Sequence, residues 1–172
     1  MTAFDLQPTL TGTLIELRPL TSGDFDELYR AASDPLIWEQ HPERSRYQPE
    51  VFARYLESAM ESKGALVVID RKSGRIIGSS RYWNLDEAQS EVEIGWTFLE
   101  RAYWGGEYNG ELKRLMLEHA FRFVERVVFV IGEENRRSQK AVEKIGGTLL
   151  RKVERTAPDG TIRRNVVYAI TR

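Results

Sequence analysis

Residues 91–147 decide the fold of this chain, and their sequence is EVEIGWTFLERAYWGGEYNGELKRLMLEHAFRFVERVVFVIGEENRRSQKAVEKIGG. The first nine residues alternate polar and apolar side chains, which predicts a strand. After a turn at 103–106, apolar residues recur with the helical period of about 3.6 residues, and Lys113 falls on the other side of that helix. The apolar stripe consists of Leu112, Leu115, Met116, His119, Ala120 and Phe123. An apolar run at 127–131 predicts a strand buried on both faces, so the segment should form two parallel strands joined by a right-handed helical crossover.

The turn before the long helix contains Gly105 and Gly106. The first N–H groups of a helix lack partners within the helix and carry partial positive charge, so a turn without bulky side chains exposes them to an anion. A second helix is predicted after the buried strand, with Asn135 able to cap its start and Gly146 standing where its end is expected. The pattern therefore predicts an anion site at the corner between the strand and the long helix.

These motifs resemble the GCN5-related N-acetyltransferase (GNAT) superfamily, in its branch of ribosomal-protein N-terminal acetyltransferases. The carrying segments are residues 93–96, 103–111, 135–138 and 143–146. The resemblance is strong over residues 91–147 and weak over nearly all of the remaining chain. It implies an α+β fold with a mixed, mostly antiparallel sheet, flanking helices and one parallel splice that forms the coenzyme cleft. It also implies an acetyl-CoA-dependent N-acyltransferase, in which an amine attacks the coenzyme directly within a ternary complex.

Glu107 departs from the pattern of that family. The family's pyrophosphate loop has the form Gln/Arg-x-x-Gly-x-Gly/Ala, and its last two small positions fall here on Glu107 and Asn109. A carboxylate beside the pyrophosphate would repel it, whereas an outward side chain would only complement the helix dipole. The alternative function is accordingly a non-catalytic acyl-CoA-binding or regulatory module with the same fold.

The resemblance also implies which residues bind acetyl-CoA. The strand at 91–99 is expected to bind the pantetheine arm through its main chain, and one of its N–H groups is expected to polarise the thioester carbonyl. The predicted coenzyme residues are Trp96, Phe98, Leu99, Trp104, Gly105, Gly106, Tyr108, Asn109, Gly110, Asn135, Ser138 and Lys140.

Two residues are predicted to be catalytic, Glu93 and Ser138. Glu91 and Glu93 leave the strand on the same face, where mutual repulsion would raise a carboxyl pKa towards the range that suits a general base. Glu93 is the preferred base, because it aligns with the glutamate before Ile-Gly in the resembling branch; the alternative is a solvent-facing alternation. Ser138 matches a serine that faces the coenzyme sulfur in that branch, either to position the sulfur or simply to start a helix.

The acceptor site is predicted from aromatic residues and one histidine. The irregular segment at 36–47 corresponds to the region beside the acceptor in the resembling family, which makes Trp38 and His41 candidates. Tyr82 and Trp83 could wall the same pocket. The alternative for the aromatic residues is a place in the core, and the alternative for His41 is a place on the surface. The predicted acceptor is a primary amine, either a small molecule or a protein N-terminus.

Composition sets the remaining expectations. The chain has 172 residues, 41% hydrophobic and 30% charged, which suits a single N-acetyltransferase-like domain over residues 1–172. The net charge of −1 gives no global reason to bind nucleic acid or an anionic membrane. The absence of cysteine excludes a disulfide and a cysteine nucleophile. No leader, membrane-spanning run or metal-ligand spacing is seen, so we expect a cytoplasmic monomer or homodimer without a metal.

The flanking segments complete the predicted sheet. Strands are expected at 14–20, 65–70, 75–83, 148–155 and 165–170, with helices after residue 22 and from Pro49. A turn containing Pro158 and Gly160 should join the last two strands.

Overall fold

The computed structural model describes residues 3–157 and 159–172. Its strands are β1 Leu10–Thr11, β2 Ile15–Pro19, β3 Ala65–Asp70, β4 Ile76–Asp86, β5 Glu91–Leu99, β6 Arg126–Gly132, β7 Thr148–Thr156 and β8 Ile162–Thr171. Its helices are α1 Phe25–Ala32, α2 Pro49–Ser62, α3 Tyr108–Ala120 and α4 Arg136–Lys144. In the predicted last turn, Gly160 has a φ of +87°, whereas Pro158 lies outside the described residues.

The strands form one sheet in the order β1-β2-β3-β4-β5-β6-β8-β7. Within the described ranges, β5 and β6 are the one parallel pair, and the other neighbours are antiparallel. The predicted fold class is therefore confirmed. No helix in residues 3–157 and 159–172 is both long and apolar enough to cross a membrane.

The sheet splits at its parallel pair. β5 and β6 pair only where Glu91, Val92 and Glu93 face Arg126, Val127 and Val128. Beyond these residues β5 stays paired with β4, while β6 stays paired with β8 as far as Gly132. A bulge in β5 accompanies the split: the register with β4 shifts between Gly95 and Phe98, and Trp96 takes a left-handed φ of +53°. The strands therefore diverge and leave a gap in the middle of the sheet.

Helices cover both faces of the sheet. One core cluster contains Leu112 and Met116 of α3, and the other contains Leu28 of α1 and Phe52 of α2. The apolar stripe predicted for α3 is largely confirmed, since its members from Leu112 to Ala120 are buried. Lys113, which was predicted on the other side of α3 from this stripe, is buried as well, at 5% exposure.

Glu111 fixes the start of α3 against the turn between β1 and β2. Its Oε2 accepts hydrogen bonds from the backbone N–H groups of Leu14 at 2.7 Å and Ile15 at 2.8 Å, and its Oε1 accepts one from Thr13 at 2.9 Å. The turn fits closely around this carboxylate, because a Cβ on Gly12 would lie 2.6 Å from Glu111 Cδ. This contact positions the first turn of α3 at the gap in the sheet.

Candidate active site

A cavity of about 720 Å³ fills the gap between β5 and β6. Residues 93–99 of β5 form one wall and residues 129–132 of β6 form the other. Asn109 and Lys113 of α3 and the first turns of α4 close the cavity at its sides. Beyond Glu93, β5 has no hydrogen-bonded partner in β6, so main-chain groups on that edge face the cavity.

The mouth of the cavity is formed by the loop before α3. Gly105 has a φ of +74°, and a Cβ on Gly105 or Gly106 would meet no atom within 4 Å. Glu107, the N-cap residue of α3, makes no side-chain capping bond, so the first N–H groups of the helix stay available to an anion. Arg137 lies with its guanidinium carbon 4.3 Å from the centre of the Trp104 ring, so a cation stands at the same mouth, and its Nη2 also pairs with Glu39 Oε1 at 2.8 Å. These features fit a diphosphate.

Glu107 itself is exposed and lies outside the cavity lining. That is the arrangement expected of an outward carboxylate, which complements the helix dipole without meeting a bound anion.

The inner end of the cavity holds the carboxyl group of Glu93. Its side chain is 5% exposed and accepts no hydrogen bond from the described residues; its nearest cation is Arg155, whose Nη2 lies 3.9 Å away. Burial raises the pKa of Glu93 to about 7, although Arg155 and Arg81 oppose the shift. Burial, and not the predicted repulsion by Glu91, is therefore the main cause of the raised pKa, because Glu91 forms a 2.7 Å ion pair with Arg126 and adds the smallest contribution.

Asn135 and Ser138 lie together where α4 begins, and both line the cavity. Asn135 is buried at 8% exposure, and its Oδ1 accepts a long hydrogen bond of 3.4 Å from the Ser138 N–H. The predicted capping role of Asn135 is therefore confirmed. Lys140, further along the helix, is exposed and lies outside the lining.

Lys113 is a cavity residue that the sequence analysis missed. Its Nζ donates a 2.9 Å hydrogen bond to Thr97 Oγ1 and lies 5.4 Å from the centre of the Phe129 ring. Thr97 Oγ1 in turn lies 2.8 Å from Ser80 Oγ. Burial lowers the pKa of Lys113 to about 7. The available signal was its spacing of four residues from Asn109, which puts both side chains on one face of α3.

Trp38 and His41 both line the cavity, and the Trp38 ring centre lies 5.3 Å from that of Phe98 on β5. Trp38 is also a core residue, at 2% exposure, and its Nε1 donates a 2.8 Å hydrogen bond to the Ala32 carbonyl. His41 Nδ1 accepts a 2.9 Å hydrogen bond from the Glu43 N–H. Burial, Arg46 and Arg163 lower the pKa of His41 to about 3, so its ring is neutral near pH 7.

Several predicted site residues are not brought to the cavity. Tyr82 is fully buried in the core, where its hydroxyl donates to the Met116 carbonyl. Trp83 is 42% exposed and packs edge to face against Trp96, outside the lining. Tyr108 donates a 3.0 Å hydrogen bond to Asp70, and it too lies outside the lining. Gly106 and Gly110 are also absent from the lining. The predicted residues that line the cavity are Trp38, His41, Glu93, Trp96, Phe98, Leu99, Trp104, Gly105, Asn109, Asn135 and Ser138.

Comparison with protein families gives one match, to the family described as the acetyltransferase (GNAT) domain. The match covers residues 15–148, which is well over half of the chain. Curated proteins give no match to this sequence.

Solved structures with the same fold are numerous, and three are representative. A GCN5-related N-acetyltransferase from Brucella melitensis is 21% identical, with a TM-score of 0.82 over 96% of this chain and 79% of that one. Mycobacterium smegmatis RimJ in complex with CoA-disulfide is 19% identical, with a TM-score of 0.74 over 95% of this chain and 87% of that one. The ribosomal-protein-S5-alanine acetyltransferase from Vibrio fischeri is 16% identical, with a TM-score of 0.70 over 96% and 97%.

Proposed function

The chain belongs to the acetyltransferase (GNAT) domain family, and we propose that it transfers an acetyl group from acetyl-CoA to a primary amine by direct attack in a ternary complex. The acceptor in this proposal is a small-molecule amine or a protein N-terminus. Acetyl-CoA is the cosubstrate, with its diphosphate at the start of α3 and its pantetheine arm along β5.

The observation that carries the proposal is the placement of Glu93 within the cleft. Its carboxyl group is buried at the inner end of a cavity whose mouth has a glycine loop and an uncapped helix start. A pKa of about 7 suits a general base near neutral pH, because the group is then partly ionised and still basic enough to take a proton. The RimJ neighbour, in its complex with CoA-disulfide, supports a coenzyme as the ligand of the mouth.

Glu93 acts first in the proposed reaction. It takes a proton from the ammonium form of the acceptor, directly or through water, and the neutral amine attacks the thioester carbonyl carbon. A carbon–nitrogen bond forms, and the tetrahedral oxyanion then collapses with cleavage of the carbon–sulfur bond. The nitrogen loses its second proton and the thiolate takes one up, so the products are an amide, a thiol and one proton.

Main-chain N–H groups of β5 stabilise the oxyanion in this proposal. Residues 94–99 do not pair with β6 and line the cavity, so the main-chain N–H groups on that edge are open to a ligand. Ser138, at the opposite wall, orients the leaving sulfur; its hydroxyl is a poor acid near neutral pH, so we assign it a positioning role.

Thiol release from acetyl-CoA over a panel of amines tests the proposal, together with calorimetry of CoA binding. We expect amine-dependent release and a matching N-acetylated product detected by mass spectrometry. Tight coenzyme binding without release for any amine would instead favour a non-catalytic acyl-CoA-binding or regulatory module. If CoA does not bind, both proposals fail.

A further inference from the structure

Two arginines beside the inner end of the cleft have buried nitrogen atoms without acceptors. Arg81 is 2% exposed, and its Nη1 donates a 3.2 Å hydrogen bond to Ser58 Oγ. Its Nε and Nη2, and the Nε of Arg46, are buried and find no hydrogen-bond partner in the described residues. A buried donor without an acceptor destabilises the fold, and more so when it is charged, so such groups are rarely left without a role.

The contact between Arg46 and His41 does not satisfy Arg46. His41 Nδ1 already accepts from the Glu43 N–H, so the neutral ring must carry its proton on Nε2. That atom lies 3.4 Å from Arg46 Nη1, and both groups are then donors. No hydrogen bond can therefore form between Arg46 Nη1 and His41 Nε2.

Aromatic rings compensate the two charges only in part. Arg46 lies 4.9 Å from the centre of the Tyr55 ring and 5.3 Å from that of Trp38, while Arg81 lies 4.3 Å from that of Trp96. Cation–π contacts attract a guanidinium but accept none of its planar N–H bonds. Burial lowers the pKa of both arginines, yet a guanidinium remains charged near neutral pH.

Carboxylates near this end are engaged elsewhere or lie too far away. Within residues 3–157 and 159–172, neither Arg46 nor Arg81 has a carboxylate oxygen within 4 Å. Glu43 lies 3.7 Å from Arg163 and accepts a 2.6 Å hydrogen bond from Ser45. The inner end therefore has an excess of positive charge.

A second cavity, of about 180 Å³, adjoins this end of the cleft. Arg46 and Trp96 line both cavities, and the remaining lining of the smaller one consists of Glu43, Val51, Arg54, Tyr55 and Ser58. Arg81 lies behind Trp96 and lines neither. An anion in the smaller cavity would face Arg46 and Arg54, with the charge of Arg81 behind the Trp96 ring. The Glu43 carboxylate is part of the same lining, where Arg163 and Ser45 engage it.

We propose that the acceptor is an amine that also carries a carboxylate, which Arg46 binds in the smaller cavity while the amine reaches Glu93. A carboxylate matches a guanidinium because two oxygens can accept two parallel N–H bonds. Arg54 and Arg81 add to the positive potential around the bound group. This inference rests on the proposed acetyl transfer and narrows its acceptor class.

Matched pairs of acceptors test the inference. Glycine, β-alanine and 4-aminobutyrate are compared with their carboxamides, which keep the shape and remove the charge. We expect kcat/KM to be at least about 10-fold higher for the carboxylate in the best pair, since a hydrogen bond to a charged group is stronger than one to a neutral group. In Arg46→Gln this ratio should fall to near one while the KM for acetyl-CoA stays constant. Arg75→Gln, which removes an exposed arginine in the β3–β4 turn, should retain the wild-type ratio.

Three outcomes would overturn the inference. If carboxamides react as well as the carboxylates, the proposed acetyl transfer stands and the carboxylate site does not. A preference for aminomethylphosphonate over every carboxylate would assign the arginines to a phosphate-like group. A wild-type preference that persists in Arg46→Gln would place the recognition elsewhere.

A binding measurement keeps the inference testable if no amine releases thiol. N-acetylglycine, N-acetyl-β-alanine and their carboxamides are titrated against the protein with CoA, following the melting temperature. Stabilisation by the carboxylates that is absent for the carboxamides and lost in Arg46→Gln supports the site even if acetyl transfer fails. Equal stabilisation, or none, contradicts it.

Discussion

The mouth of the cleft and its inner end differ in the chemical groups that form them: mainly main-chain groups at the mouth and side chains at the inner end. The mouth uses mainly main-chain groups, namely the loop at Gly105 and the uncapped start of α3, with the Arg137 side chain beside them. The inner end uses side chains. Glu93 is 5% exposed and its nearest cation, Arg155, lies 3.9 Å away, while the buried Nε of Arg46 has no hydrogen-bond partner in the described residues. Side-chain substitutions should consequently have large effects at the inner end and small effects at the mouth, unless they move α3 itself.

The largest expected effect comes from Glu93→Gln. If Glu93 is the base, kcat should fall by about 100-fold or more, while calorimetry with CoA shows little change. The wild-type rate should rise with pH through about 7, because the carboxyl must lose its proton to act, and this rise should disappear in the variant. The charged groups that influence it are Arg155, Arg81 and Glu91.

Glu91→Gln is the matched control on the same strand and should lower kcat far less. An unchanged rate and pH profile in Glu93→Gln would show that the inner end does not hold the base.

The next effect concerns the support of the mouth. Glu111→Ala should lower the free energy of unfolding by about 3 kcal/mol, because three backbone N–H groups lose their carboxylate acceptor. Urea unfolding measures this loss, with Glu118→Ala on the exposed side of α3 as a control expected to change stability by less than about 0.5 kcal/mol. Equal losses in both variants would mean that the carboxylate does not anchor the helix.

Lys113 lies between the two ends and should affect stability in a pH-dependent way. Its folded pKa of about 7 is below the ordinary value of 10.5, so the unfolded chain binds more protons and the wild-type stability should rise between pH 7 and pH 10. Lys113→Met removes this dependence and should stabilise the protein at pH 7 by about 1–3 kcal/mol. The difference between the two proteins in urea unfolding should shrink as pH rises; a constant difference would contradict a neutralised buried amine.

The smallest effect is expected for Glu107→Gly. An exposed carboxylate that points away from the mouth should change CoA affinity by less than about threefold, as is usual for surface charges. Calorimetry of CoA binding to Glu107→Gly and Glu107→Gln would measure it. A tightening of tenfold or more in both variants would show that the carboxylate faces the phosphates.

The elements that form the mouth were largely predictable from the sequence. At the inner end Glu93 was predicted, whereas Arg46 and Arg81 were not. Periodicity and glycine position are local signals, and they placed β5, α3 and the loop at Gly105 correctly. Lys113 was missed because a local pattern assigns a lysine to solvent, whereas the gap between β5 and β6 offers it Thr97 as an acceptor.

Long-range packing decided the remaining assignments. Tyr82 and Trp83 are neighbours on β4, so their side chains point to opposite faces of the sheet. The sequence does not show which of these faces α3 covers, and so it does not show which of the two side chains is buried. Arg46 and Arg81 are distant along the chain, and only the packing of α2 against the sheet brings both to the Tyr55 ring. Burial of Glu93 likewise depends on contacts outside its own strand.

The insertion of β8 between β6 and β7 has a consequence for synthesis on the ribosome. A nascent chain that ends before Ile162 contains β7 but lacks the strand that joins it to β6. We therefore expect the far wall of the cleft to assemble only after residues 162–171 have emerged, which delays any coenzyme capture until then. Protease resistance of β6 and β7 in a chain truncated at residue 157 would contradict this order of events.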